Sequence, residues 1–212
     1  IFKNGTKKKA GTIGNIGTTS FFPSKNLGCY GDGGAIFTND DALAHTLRGI
    51  VNHGMYTRYY HDVVGVNSRL DSIQAGVLKA KLPLLDSFCE ARRDAARFYN
   101  NAFANNSNIV TPTTKSYGAI SDTCNWHVFH QYTLQITNGK RDELHKYLLE
   151  NDIPNAIYYP VPLHSQKAYA DKRYNEDDFP VTNQLIKTVI SLPMHTELEK
   201  DQLEFITKTI LD

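Results

Sequence analysis

The sequence predicts an α/β chain in two parts, and three patterns carry that expectation. Two short strand-like runs, Thr18–Phe22 and Gly34–Thr38, flank a glycine-rich loop. Helical periodicity follows, broken once by Pro83. Beyond the polar stretch Asn100–Ser107, strand and helix patterns alternate again to the end of the chain, as in a compact α/β domain. A chain of 212 residues can bury one sizeable core, or one core with a smaller satellite. Hydrophobic residues at 41% and charged residues at 21% exclude a disordered or fibrous chain. Lys+Arg 23 against Asp+Glu 22 leaves +1, so no global field draws in nucleic acid or anionic membrane, and neither is expected as a partner. The local run Lys7-Lys8-Lys9 reads as a solvated turn. There is no apolar stretch of bilayer-spanning length and no signal-peptide pattern. Cys29, Cys89 and Cys124 are widely spaced without metal-ligand pairing, so reduced thiols, no metal and a cytoplasmic location are expected.

Taken in order, Gly11-Thr12-Ile13-Gly14-Asn15-Ile16-Gly17 lacks the strand-then-helix context of a nucleotide fingerprint and reads as a turn entering the first strand. Pro23 ends that strand because it has no N–H and a fixed φ. Lys25 then sits on a tight turn, followed by Asn26, Gly28, Gly31, Asp32, Gly33 and Gly34. Asn39-Asp40 offer a cap for a helix over Ala42–Val51, with Arg48 near its end. Asn52–Val66 has no period, and a loop of that length is more often functional than idle. From Asp71 the spacing of Ile73, Val77, Ala80 and Leu84 predicts one buried helical face. A second helix is expected over Phe88–Ala104 and a domain boundary near Asn105–Thr114, dividing residues 1–106 from 107–212. Val128–Ile136 alternates as a strand, and Lys140–Asn151 as a helix with Leu144, Tyr147 and Leu148 inward. A proline-bracketed segment to Pro162, a short helix near Ser165–Tyr169, and helices over Phe179–Ile190 and Glu199–Leu211 complete the chain.

The chemistry-bearing residues each admit two readings. Burial at a strand end would lower the pKa of the Lys25 amine and make it a nucleophile, whereas a solvated loop lysine is the ordinary alternative. Ser20 is either a hydroxyl offered to an anion beside the same turn or a strand-end group satisfied by backbone. Asn67 could serve a ligand or simply cap a turn. Arg69 can clamp a carboxylate bidentately, or form a surface salt bridge. His164, in Pro162-Leu163-His164, could line a cleft or be structural.

The string SFFPSKNLG followed by GDGGAIFTND resembles the cofactor-lysine segment of the DegT/DnrJ/EryC1/StrS family of sugar aminotransferases, which bind pyridoxal phosphate (PLP). The likeness continues in Gly65–Ala75 (GVNSRLDSIQA), in Tyr158–His164 (YYPVPLH) and in Ser191–His195 (SLPMH), so it covers nearly the whole chain. The wording NLGCYGDGGA is most similar to UDP-2-acetamido-2-deoxy-3-oxo-glucuronate aminotransferases. The resemblance implies the PLP-dependent aspartate aminotransferase fold (fold type I). Residues 1–106 would be the C-terminal part of its large domain with connecting helices, and 107–212 its small α/β domain. The chain is little more than half the family's usual length, and by itself is expected to be inactive, since the groups facing the pyridine nitrogen and stacking on the ring would lie upstream.

The same resemblance implies that Lys25 joins to PLP and carries a proton between two carbons, and a lysine here argues against relatives that dehydrate sugars with a histidine. An unperturbed amine pKa of about 10.4 leaves little free base at neutral pH, so burial and the cofactor must lower it. Ser20 and Asn67 would contact the phosphate, Asn67 from the neighbouring subunit of a homodimer with shared sites. Arg69, Tyr158, Tyr159 and His164 would meet the substrate. Tyr159 fits the family's usual tyrosine, whereas Tyr158 replaces its usual histidine and brings no positive charge near neutrality. The implied reaction is amino transfer, with glutamate the expected donor, to a keto group of a nucleotide-linked sugar in surface polysaccharide biosynthesis. Another keto-sugar, as in antibiotic pathways, and a non-enzymatic binding scaffold are the alternatives.

Overall fold

The computed structural model describes residue 6 and residues 8–113 and 127–212. Lys7, Cys124 and the far end of the expected boundary at Thr114 lie outside the described residues. The chain divides into two compact units, Ile1–Asp86 and Ser87–Asp212.

In the first unit, β1 (Gly17–Ser20) and β2 (Gly34–Phe37) form a two-stranded antiparallel sheet in which Gly17 faces Phe37 and Ser20 faces Gly34. The parallel pairing that an α/β chain of this class leads one to expect is corrected: the connection contains no crossover helix, so the second strand returns antiparallel. Ile36 and Phe37 are 44% and 43% exposed, in a chain expected to lack the half that would cover these strands. Helix α1 (Asp41–Val51) starts where expected, because the Asp40 carboxylate accepts the Leu43 N–H at 2.9 Å, and Arg48 lies in its last turn. The aperiodic stretch that follows contains a small hairpin, β3 (Met55–Thr57) with β4 (Tyr60–His61). Helix α2 (Ser72–Lys81) is capped by Asp71, whose carboxylate accepts the Ile73 N–H at 2.7 Å. Its inward face is not the expected one: Leu78 is buried while Ile73 is 74% exposed. Pro83 divides the helical run as expected, through a 3₁₀ turn over Leu82–Leu84.

The second unit holds the larger core. Helix α3 (Leu85–Phe103) contributes Ala95, Ala96, Tyr99 and Phe103 to it. A three-stranded antiparallel sheet, β5 (Ile109–Val110), β6 (Tyr132–Ile136) and β7 (Val189–Leu192), has β6 at its centre. Tyr132, Leu134 and Ile136 alternate inward as the period-two pattern requires. Strand β6 starts later than expected, because Phe129 takes a positive φ of 40°. Helices α4 (Arg141–Glu150), α5 (Pro180–Thr188) and α6 (Lys200–Leu211) follow. Helix α5 stops short of the expected Ile190 because Val189-Ile190-Ser191-Leu192 is a fully buried strand, a role suited to a β-branched apolar run. On the side of β7 away from β6, Ala156 and Ser191 exchange backbone hydrogen bonds of 3.1 and 2.7 Å.

Leu148 and Leu144 of α4 face the core, but Tyr147, expected inward, is 44% exposed. Two arginines are buried for structural reasons. Arg92 Nη1 donates to the carbonyls of Phe129, His130 and Met194, and Arg141 Nη1 to those of Ile186 and Val189, so each satisfies carbonyls distant in sequence from itself.

Leu134→Ala should therefore lower stability by about 2–5 kcal/mol through the cavity it leaves. Tyr147→Ala should change it by only about 0.5 kcal/mol. Denaturant titration of the two variants checks this, and equal losses would contradict the assignment of inward faces.

Candidate functional site

The lysine segment is built from a strand end and a closed loop. Ser20 is the last residue of β1, and the Phe21 N–H extends the ladder by donating to the Gly33 carbonyl at 2.8 Å. Pro23 opens the turn, and the Lys25 N–H donates to the Phe22 carbonyl at 2.8 Å, leaving Lys25 half-buried just beyond the strand. Ser20 is exposed, and its Oγ accepts the Phe22 N–H at 3.2 Å. That bond uses an oxygen lone pair and leaves the hydroxyl hydrogen to donate elsewhere, so the backbone role and an anion-binding role are compatible.

Cys29 is fully buried at the centre of the loop. Its N–H reaches the Phe21 carbonyl at 2.8 Å, and its thiol lies 2.9 Å from the same oxygen and 3.0 Å from that of Gly31. The packing explains two of the glycines. A Cβ on Gly28 would stand 2.4 Å from the Pro23 carbonyl oxygen, and one on Gly33 would stand 2.9 Å from Cys29 Sγ. Helix α2 holds the loop from outside: Gln74 Oε1 accepts the Tyr30 N–H at 2.7 Å, and Lys81 Nζ donates to the Gly28 carbonyl at 2.8 Å while lying 4.9 Å from the centre of the Tyr30 ring. Sequence reasoning reads Cys29 only as a reduced thiol and does not single out Gln74 or Lys81. A Gln between apolar neighbours in Ile73-Gln74-Ala75 was the one available signal.

Asn67 and Arg69 are brought together. Arg69 Nε donates to Asn67 Oδ1 at 3.3 Å, and its Nη1 to Asn52 Oδ1 at 3.4 Å, while Asn52 and Asn67 also face one another in an antiparallel bridge. Among the described residues no carboxylate pairs with Arg69. Both residues line an open concavity of about 1060 Å³, together with Thr18, Ile36 and Arg48. Ser20 and Lys25 do not line it.

In the second unit, Tyr158 and Tyr159 are joined by a cis peptide bond and their rings meet edge-on at 5.4 Å. They are 43% and 70% exposed, so both phenols are open to a ligand. His164 is more firmly engaged. Its ring stacks on Phe179 at 4.2 Å, and its Nε2 lies 3.2 Å from Glu176 Oε2, while Ser165 Oγ donates to the other oxygen of that carboxylate. The Ser165 hydroxyl and then His164 hold the Glu176 carboxyl below the usual carboxylate range. His164 thus has a structural role here whatever else it contacts.

The donor set fits PLP as far as it goes. An amine on a fixed turn can join to a carbonyl carbon, and a neighbouring hydroxyl with a free hydrogen can bind a phosphate oxygen. No cluster of metal-ligating side chains occurs among the described residues.

Comparison with known proteins gives the same direction. The model of the DegT/DnrJ/EryC1/StrS aminotransferase family matches residues 3–211. The pleiotropic regulatory protein of Geobacillus stearothermophilus is 42% identical over 205 residues, covering 97% of this chain and 53% of that protein. The UDP-2-acetamido-2-deoxy-3-oxo-D-glucuronate aminotransferase of Pseudomonas aeruginosa is 40% identical over 199 residues, covering 94% and 52%. Among solved structures, a DegT DnrJ EryC1 StrS aminotransferase from Brucella abortus superposes with a TM-score of 0.81 at 42% identity, over 95% of this chain and 51% of that one. The chain spans about half the length of the curated relatives it matches. Family members depend on PLP and have the fold type I architecture. With a match that runs through the lysine turn, the Asn67–Arg69 pair and the second unit alike, the chain belongs to the DegT/DnrJ/EryC1/StrS aminotransferase family.

Proposed function

We propose that the protein of which this chain forms part transfers an amino group from an amino acid, with glutamate as donor, to a keto group of a nucleotide-linked sugar for surface polysaccharide synthesis. The observation that carries this is Lys25, half-buried on a turn whose backbone is fixed on both sides, in a chain of an aminotransferase family. When bound, PLP supplies an electron sink that lets a proton leave the carbon bearing the nitrogen. The chain's own residues do the rest. Lys25 would hold the cofactor through its amine and, with that amine free, would serve as the base that moves a proton between two carbons. Ser20 would donate its hydroxyl hydrogen to the phosphate, and Asn67 would offer its amide N–H to the phosphate held by a neighbouring copy in a homodimer.

Arg69 is suited to an acidic acceptor group. Its guanidinium has two long bonds to neutral amide oxygens, and a carboxylate would compete for those donors with better geometry and charge. The Pseudomonas aeruginosa relative is named for a uronate substrate, which supports a UDP-linked keto-uronate here. Tyr158 and Tyr159 would present phenols to the sugar, with His164 holding the segment beside them. In the whole protein, residues 1–106 would close the large cofactor domain and 107–212 form the small domain, with a cytoplasmic location for a substrate made from nucleotide sugars. A keto-sugar without an acid group remains the second reading, since other relatives are named for dTDP-linked trideoxy sugars.

Lys25→Ala in the whole protein should abolish the visible absorbance of the bound cofactor and lower turnover by roughly several orders of magnitude. A variant that keeps both would remove Lys25 from the chemistry. Arg69→Met should weaken a uronate acceptor about tenfold or more while sparing a neutral one, because only the carboxylate loses a paired charge. Initial rates with both acceptors measure this, and equal losses would favour the neutral-sugar reading.

A further inference from the structure

We propose that Gln74 and Lys81 are positioning residues for Lys25, acting together as a two-point clamp from α2 on the loop that carries it. The proposal rests on Lys25 being the residue that joins PLP, as argued above. Neither side chain is placed to react. Each spends its polar group on the loop backbone: the Gln74 oxygen on the Tyr30 N–H at 2.7 Å, and the Lys81 ammonium on the Gly28 carbonyl at 2.8 Å.

The two anchors lie at the start and end of Gly28-Cys29-Tyr30, and the residue between them is sealed inside the loop. Together they fix the chain immediately after the Lys25 turn. They come from opposite ends of one helix, so the loop cannot pivot about either contact alone. The Lys81 bond is charge-assisted, and its ammonium also meets the Tyr30 ring at 4.9 Å, which holds a residue whose side chain is 75% exposed. The Tyr30 N–H therefore has a fixed acceptor although the residue faces solvent.

A fixed turn keeps the Lys25 side chain half out of water. Loosening it lets the turn that carries the amine shift relative to the cofactor, so removing an anchor weakens PLP binding. A role confined to stability would move the melting temperature and leave PLP affinity where it is.

The test uses the whole PLP-loaded protein. Gln74→Leu and Lys81→Met should each weaken PLP binding about tenfold. Gln74→Glu keeps an acceptor and Lys81→Arg a charged donor, so both should restore the wild-type affinity. Lys79→Met, an exposed lysine on the same helix, should leave it unchanged. Because the disruptive variants could fail to fold, hydrogen exchange in the unaltered protein gives an independent measurement. The Tyr30 amide should exchange slowly despite the exposure of its side chain, and fast exchange overturns the clamp. An unchanged PLP affinity in both disruptive variants also overturns it, while leaving Lys25 as the cofactor lysine. A Lys25→Ala protein that retains the visible band overturns the underlying reading and the clamp with it.

Discussion

A loop that leaves one strand and rejoins its neighbour has to be closed before anything on it can be placed, and the closure between β1 and β2 is what the site depends on. Ordering a residue's backbone costs about 1–2 kcal/mol, so a glycine-containing loop is not held by propensity. Here it is held by hydrogen bonds that converge on one carbonyl. The oxygen of Phe21 receives both the N–H and the thiol of Cys29, and the Phe21 N–H meets Gly33. This brings the loop's middle back onto its entry, and Gly28 and Gly33 are the positions where no side chain fits. Lys25 is carried on the arc so formed, where a displacement of the turn would be a displacement of the amine.

The two units solve different problems. The second has a conventional core, with Tyr99, Phe103, Tyr132, Leu134, Leu148 and Ile190 removed from water. Hydrophobic burial can hold it with little help. In the first unit only Cys29 and Leu78 are buried among the described hydrophobic residues, so local order rests on caps, backbone pairs and side chains such as Gln74 and Lys81 that bond to the main chain. Contacts of that kind define positions well and stabilise modestly. Apolar residues such as Ile36 and Phe37 lie at the surface of this unit, in a chain that spans about half the length of its relatives.

Much of this was legible in the sequence, for reasons that are local. Asp40 and Asp71 announced their helices because a carboxylate cap acts within one turn, and Pro83 announced a break because it removes an N–H. The family resemblance points to Lys25 because the residues around it form one contiguous string. What failed depends on distant partners. The direction of β2 follows from where the loop closes, and the inward face of α2 follows from the loop it clamps rather than from the spacing of Ile73 and Ala80. Val189-Ile190 looked like the end of a helix because a short apolar run fits either pattern, and only pairing with β6 decides it. The pairing of Arg69 with Asn67 and Asn52 joins residues 17 positions apart, beyond the reach of any local rule.

The central claim is that Lys25 is where the cofactor attaches. Borohydride reduction of the whole protein in the presence of PLP, followed by proteolysis and peptide mass mapping, tests it most directly. The account predicts the reduced cofactor on the peptide containing Lys25 and on no other lysine peptide. Stoichiometric label on a different lysine, with the Lys25 peptide unmodified, would contradict it.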